Sequence, residues 1–349
     1  MPSPHVPSNP PQRDTDLAVR GIVPAGLSGR LVGIGRDGVV HSVQVREGRM
    51  SYRSRRCRTD AVVHNLVAFE GSILAFGDES PAYELSTEFD TLRRVDLAGH
   101  GRGLAAYPKH DLATGELHLI AHDTDGVQEH VVVSAGALTR HSRPVLDTPN
   151  RIRDLVLTVD QVVFVADGFA GIASRDREAR TTWIATGVAA PRALHAHDSG
   201  DAVVLLVLTP SLERWTLHSG AGNIQREVLD PTPRRFAHFG NEGIDGVPRC
   251  LWTVGDGTIG HHDLLRSRHG HHNLRPGVPG DLVFVADATR QSDADGGCLV
   301  GFVHNPMAAA TEVRLLDAAD IVGPTIAVAP IPHLVPRGLR CTWIPSTQP

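Results

Sequence analysis

Lysine is almost missing from this chain. Of its 34 basic side chains only Lys109 is a lysine, and the remainder are arginines. Schiff-base chemistry therefore has one candidate amine in 349 residues. Arginine is the default cation here, so a single arginine carries little weight by itself. Cysteine is scarce as well. Cys57, Cys250, Cys298 and Cys341 are scattered without a C-x-x-C pair, and read as reduced, structural thiols of a cytoplasmic protein. No apolar run approaches the roughly 20 residues of a membrane-spanning helix. The net charge of −5 and pI near 6.5 give no basic excess for nucleic acid or an anionic membrane surface. G-x-S-x-G, P-loop and H-E-x-x-H motifs are all lacking. The string 33-GIGRDG-38 fits G-x-G-x-x-G but runs into the strand-like VVHSVQV rather than a helix, which removes the nucleotide reading. Residues 1–16, MPSPHVPSNPPQRDTD, are polar and proline-rich, without the apolar centre of a signal peptide. Residues 1–19 are expected to form a disordered arm, with residues 20–349 as a single domain.

What is present is strand signal. Short β-branched runs such as 117-LHLIAH-122, 161-QVVFVA-166 and 202-AVVLLVL-208 are punctuated by Gly, Asp and Pro, and no segment keeps a helical period. The chain is read as all-β. His195 and His197 lie two apart on such a run and point the same way, offering either half a metal site or a polar lining for a pore mouth. The histidine-rich 261-HHDLLRSRHGHHN-273 reads as a solvated outer turn that picks up metal adventitiously. The aspartates of 291-QSDADGG-297 lack the following ligands of a calcium loop and read as a β-turn.

Several segments, in order, resemble the carotenoid cleavage oxygenase family. They are 20-RGIVPAGLSGRLVGIG-35, 46-REGRMSYRSRRCRTD-60, 72-SILAFGDESPAYELSTEFDTLRRVDL-97, 106-AYPKHDLATGELH-118, 153-RDLVLTVDQVVFV-165, 212-LERWTL-217, 279-PGDLVFVADATRQSDADGG-297 and 332-PHLVPRGLRCTWIP-345. The most specific is 106–118, which is similar to AHPK-x-D-x-x-TGELH. The resemblance implies a seven-bladed β-propeller, and 349 residues allow roughly 50 per four-stranded blade. It also implies closure of the ring by the C-terminal strand.

In that family four histidines hold an iron ion on the propeller axis and three glutamates orient them. The resemblance places Tyr107, Arg153, Arg192 and Arg340 in the ligand positions, and Asp78, Arg235 and Asp281 in the glutamate positions, with Glu79 an alternative to Asp78. A guanidinium stays protonated and offers a metal no lone pair. The expectation is therefore a centre without metal or other cofactor. If all of these residues converge, four arginines and two acids leave a charge of about +2, which calls for an anion or water.

Three functional readings follow. The leading one is an iron-independent enzyme performing an isomerisation, cyclisation or pericyclic step in specialised metabolism. Its substrate is an apolar, polyene-like molecule with an anionic or carbonyl head. Arg153, Arg192 and Arg340 bind the head, and Tyr107 moves a proton if neighbouring cations lower its pKa. Asp281, Arg235, Asp78, His195 and His197 complete the binding site. The second is a non-catalytic protein that sequesters such a molecule. The third is an iron-dependent carotenoid or stilbene-type dioxygenase with replacement ligands from His110, His195 and His197.

Overall fold

The computed structural model describes residues 14–35, 37–99, 103–122, 125–134, 140–145, 150–175, 180–240, 247–287, 289–290 and 293–346, residues 140–145 by backbone only. Seven antiparallel sheets of four or five strands form a seven-bladed propeller. Blade one is built from Thr15–Asp16, Gly29–Ile34, Val39–Arg46, Arg49–Arg56 and the C-terminal Arg340–Pro345. Blades two to six follow in chain order, beginning at Val63, Gly103, Ile152, Arg192 and Phe236. Blade seven holds Val278–Ala286, Gly297–Asn305, Ala310–Asp317 and Ala327–Ile331, edged by Arg20–Gly21. Among the described residues no helix is long and apolar enough to cross a membrane.

Alternation explains the strands and blade packing explains the ring. In Leu212–His218 the even side chains alternate with Glu213, Trp215 and Leu217, and these three are buried. Trp215 is fully buried with Val163, Ile172, Ala193 and Leu205 between blades four and five. Trp252 fills the matching space between blades six and seven with Leu299, Val303 and Leu316. Each such side chain stabilises the fold by roughly 1.5–3 kcal/mol. The hairpin at Glu47-Gly48 has φ of 51° and 75°, the paired left-handed geometry that suits the twist of its strands.

Ring closure is a direct backbone ladder. Arg340 pairs with Ile34 and Pro345 with Gly29, so the two ends of the chain share one blade. A Cβ on Gly29 would lie 2.4 Å from the Trp343 ring, so the closing strand requires glycine there. Gly29→Ala is expected to cost about 1–3 kcal/mol through forced displacement of Trp343. Thermal unfolding reads this as a lowered Tm, and an unchanged Tm would show that closure tolerates the clash.

One boundary is corrected. Thr15 and Asp16 pair with Tyr52 and Ser51, and Leu17 packs on the core of blades one and seven. The domain thus includes residues 15–19 ahead of residue 20, because Leu17 and Val19 find apolar cover. Residues 1–13 lie outside the described residues.

Candidate axial site

The first strand of blades two to seven, and the last strand of the chain in blade one, lie innermost. Arg340–Pro345 packs beside both Val63–Phe69 and Val278–Ala286. Ile152–Leu157 packs beside Arg192–Ser199, and Phe236–Phe239 beside Val278–Ala286. Residues from these strands surround an axial cavity of about 350 Å³, lined by Tyr107, Lys109, Arg192, His238, Asp281 and Arg340 among others. Four innermost strands are bulged, with register shifts at Val63/Asn65, Ile152/Asp154, Ala193/His195 and Pro279/Leu282. Each bulge re-aims side chains relative to strict alternation.

Tyr107 is the centre of the cationic cluster. The Arg340 guanidinium lies 4.6 Å from its ring centroid and that of Arg192 5.9 Å. Both guanidiniums sit against the negative face of the ring's quadrupole. Arg192 also donates through Nη1 to the Arg235 carbonyl at 2.7 Å, which fixes its direction across the seam between blades five and six. Lys109 approaches Asp154 at 3.3 Å. Burial pushes the Asp154 carboxyl up, against the opposing pull of Lys109 and Arg192.

Asp281 is buried and committed at both oxygens. One accepts from His238 Nε2 at 2.6 Å and the other from the Cys341 N–H at 3.0 Å. It therefore fixes the backbone beside Arg340 and does not ion-pair with the guanidinium. Among the described residues the axial cations Lys109, Arg192 and Arg340 outnumber the acids Asp154 and Asp281.

Of the sequence-derived site residues, Tyr107, Arg192, Arg340 and Asp281 come together in this cavity. Arg153 does not join them. It is half exposed and paired with Asp167, at 2.9 Å through both Nε and Nη2, because the bulge between Ile152 and Asp154 leaves it outside the ladder. The side chain of Arg235 is largely exposed and paired with Asp256 at 2.9 Å, leaving only its carbonyl at the axis. Asp78 is about half exposed, accepting from the Ala106 N–H at 3.4 Å and lying 4.0 Å from Arg151. Glu79, the alternative position, pairs with Arg151. His195 and His197 lie 5.9 Å apart, and His195 packs 5.5 Å from Phe239. Neither lines the axial cavity, although each keeps a buried ring nitrogen without a hydrogen-bond partner. The convergence of four arginines is thus corrected to two arginines and the one lysine.

Lys109, Asp154 and His238 were not singled out as site residues. Lys109 had a signal in being the only lysine. Asp154 sits beside a residue that was named, with a bulge reversing which of the two turns inward. His238 lies within RRFAHF and has no spacing signature.

The donor set does not suit a four-histidine iron centre. The axial cavity brings in His238, already bonded to Asp281, and His110, whose ring packs 5.3 Å from Phe69. Among the described residues, neither of the two His/Cys/Asp/Glu clusters with metal-like spacing contributes a residue to the cavity lining. Cations at Lys109, Arg192 and Arg340 would also repel Fe²⁺.

Buried histidines elsewhere set an acid response. Burial pulls His41, His195 and His262 down to about 4. Unfolded, each takes up its proton near 6.5, so the unfolded state binds more protons between those values. Stability is complete above that range and is lost as pH falls from 6.5 toward 4, by at most about 1.4 kcal/mol per pH unit per histidine. The measurement is Tm against pH. A steady Tm from pH 7 to 5 would contradict the burial of neutral imidazoles. The solvated-turn reading of 261–273 holds for residues 265–271, which are exposed, and fails at His262, which is buried against Thr253 at 2.9 Å.

The comparisons with known proteins agree with this architecture. A family model described as retinal pigment epithelial membrane protein matches residues 194–345. The chain is 24% identical to a protein named carotenoid cleavage oxygenase from Mycobacterium tuberculosis, covering 95% of each. Cobalt-substituted apocarotenoid oxygenase from Synechocystis superposes with a TM-score of 0.82 at 15% identity, over 97% of both chains. An ACO/RPE65 chimera gives 0.83 at 16% identity, again over 97% of each.

Proposed function

We propose that this chain, a member of the carotenoid cleavage oxygenase family, uses its propeller axis as a seat for an oxyanion rather than for iron. Its substrate is an apolar, unsaturated molecule with a carboxylate or carbonyl head. The reaction is a non-redox isomerisation or cyclisation, and a reducing cytoplasm is proposed as the setting for four free, buried thiols.

The observation that carries this reading is the pair of guanidiniums held on Tyr107 inside a cavity whose acids are engaged elsewhere. A second cavity of about 770 Å³ shares Phe236, Asp281 and Cys341 with the axial one. Its lining includes Phe302, Val335 and Leu339, which suits an apolar tail. The head oxygen accepts from Arg192 and Arg340, and these preorganised donors stabilise negative charge that develops there. Tyr107 moves a proton between two carbons of the conjugated chain. The electron pair released by the first carbon delocalises to the head oxygen, then returns as the proton is delivered to the second carbon. No oxidant is consumed.

The test is anaerobic incubation of metal-free protein with a panel of polyene carboxylates and aldehydes, followed by chromatography for isomers. Tyr107→Phe is expected to lower turnover by about 10²–10⁴ while leaving Kd nearly unchanged. Binding without conversion would replace the enzyme reading by a sequestering protein. In a parallel aerobic incubation with added Fe²⁺, cleavage requiring oxygen and stoichiometric iron would overturn both.

A further inference from the structure

Away from the axis, Cys250, His261 and Asp295 bring a thiol, an imidazole and a carboxylate within 4.8 Å of one another. Two elements of blade six and one loop of blade seven make this arrangement. Cys250 and Trp252 share a face of Cys250–Gly255, and His261 pairs directly with Trp252 on the neighbouring strand Thr258–Asp263. Asp295 comes from the turn before Gly297–Asn305. The imidazole is held by stacking. Its ring lies 5.2 Å from Trp252 at an interplanar angle of 4°, and Phe284 of blade seven stacks on Trp252 at 4.8 Å. His261 Nε2 is buried without a hydrogen-bond partner, and Cys250 is buried and free.

We propose that Cys250, His261 and Asp295 form a binding site for a thiophilic divalent metal ion of the zinc class, joining blades six and seven at a distance from the axial cavity. The mixture of sulfur, nitrogen and oxygen donors is the one zinc prefers, and three protein ligands leave a fourth position for water. Tetrahedral coordination brings donors to about 3.3–3.8 Å apart, so the triad closes by at most about 1.5 Å on the ion. Local charge permits this. Arg249, the nearest cation in sequence, is engaged by Asp263 at 2.9 and 3.1 Å. Burial, with Asp295 and Asp263 next in weight, pushes the Cys250 thiol up to about 11. Metal uptake therefore has to displace that proton, and affinity rises with pH.

The experiment uses untagged, full-length protein stripped of metal and titrated with Co²⁺ at pH 7.5. One equivalent is expected to produce a near-ultraviolet thiolate-to-cobalt charge-transfer band, which one equivalent of Zn²⁺ then abolishes. Zn²⁺ in hundredfold excess over Kd should raise Tm by a few degrees. Cys250→Ser should remove the band. Asp295→Asn, on a surface turn, should keep the fold and weaken binding at least tenfold. Cobalt taken up without a thiolate band, as exposed His269 and His271 would take it, overturns the site. So does equal affinity and equal thermal shift in wild type, Cys250→Ser and Asp295→Asn.

Discussion

Arg340→Ala is expected to weaken binding of a long-chain unsaturated carboxylate by about 10- to 150-fold, the loss of one hydrogen bond to a charged group, some 1.5–3 kcal/mol. Arg192→Ala should lose a comparable factor, and the double variant should lose most measurable binding. Trp343 lines the axial cavity and provides a fluorescence readout for the titration. The esterified ligand should bind wild type more weakly than the acid and lose less in the variants, because its carbonyl accepts from the guanidiniums without carrying a charge. Secondary structure and Tm should change little, since neither arginine is ion-paired to a carboxylate among the described residues. Equal affinity for acid and ester in all variants would show that the two arginines are structural.

The largest loss of stability is expected at a different place. The side chain of Arg234 has no exposed surface, and it donates to Asp230 through Nε at 3.0 Å and Nη2 at 2.8 Å. Its Nη1 reaches Thr258 at 3.0 Å, so the pair ties the end of blade five to blade six. Asp230→Ala leaves this guanidinium buried and uncompensated, at a cost of about 3–5 kcal/mol. Replacing both partners by apolar residues of similar volume should recover most of that loss, which separates an unpaired charge from a general loss of contact. Burial alone would raise the Asp230 carboxyl, but hydrogen bonds from Thr232 and Arg234 and the adjacent charge outweigh it and hold it below the usual range. Its stabilisation is present above the ordinary carboxylate pKa and is lost as pH falls through the lower, folded value. Acid unfolding is therefore expected in two stages, the histidines first and this carboxylate last. Denaturant titrations at pH 7, pH 4.5 and pH 2 separate the two stages.

The architecture was open to sequence reading because its signals are local. Runs such as AVVLLVL and LERWTL carry strand chemistry in themselves, and 106–118 and 332–345 bear family-like spacing. The closing strand could be placed because 332-PHLVPRGLRCTWIP-345 resembles the family's closing segment. The site was open only in part. Arg192 and Arg340 are paired in their ladders and Tyr107 precedes the strand Lys109–Asp111, and all three line the axial cavity. Arg153 and Asp154 are separated by a bulge, and no residue pattern announces which of them faces inward. Arg235 was named for its side chain, yet it is the carbonyl that meets Arg192. His238 enters through one hydrogen bond to a residue 43 positions away, a relation that exists only after the ring is closed. The outer histidine run misled only at its first two residues, residues 265–271 being exposed. Composition made it look solvated, whereas Trp252 and Thr253 provide cover for His261 and His262.

The claim that the axis holds an oxyanion and not iron meets its most direct test in one crystallographic measurement. Untagged protein is incubated without oxygen with both Fe²⁺ and a long-chain polyene carboxylate, crystallised, and measured at the iron absorption edge. An oxyanion seat predicts carboxylate density between Arg192 and Arg340, beside Tyr107, with the chain running past Phe236 toward Leu339 and no anomalous peak in the axial cavity. An anomalous peak at coordination distance from His238 or His110, with the carboxylate bound elsewhere, would contradict it.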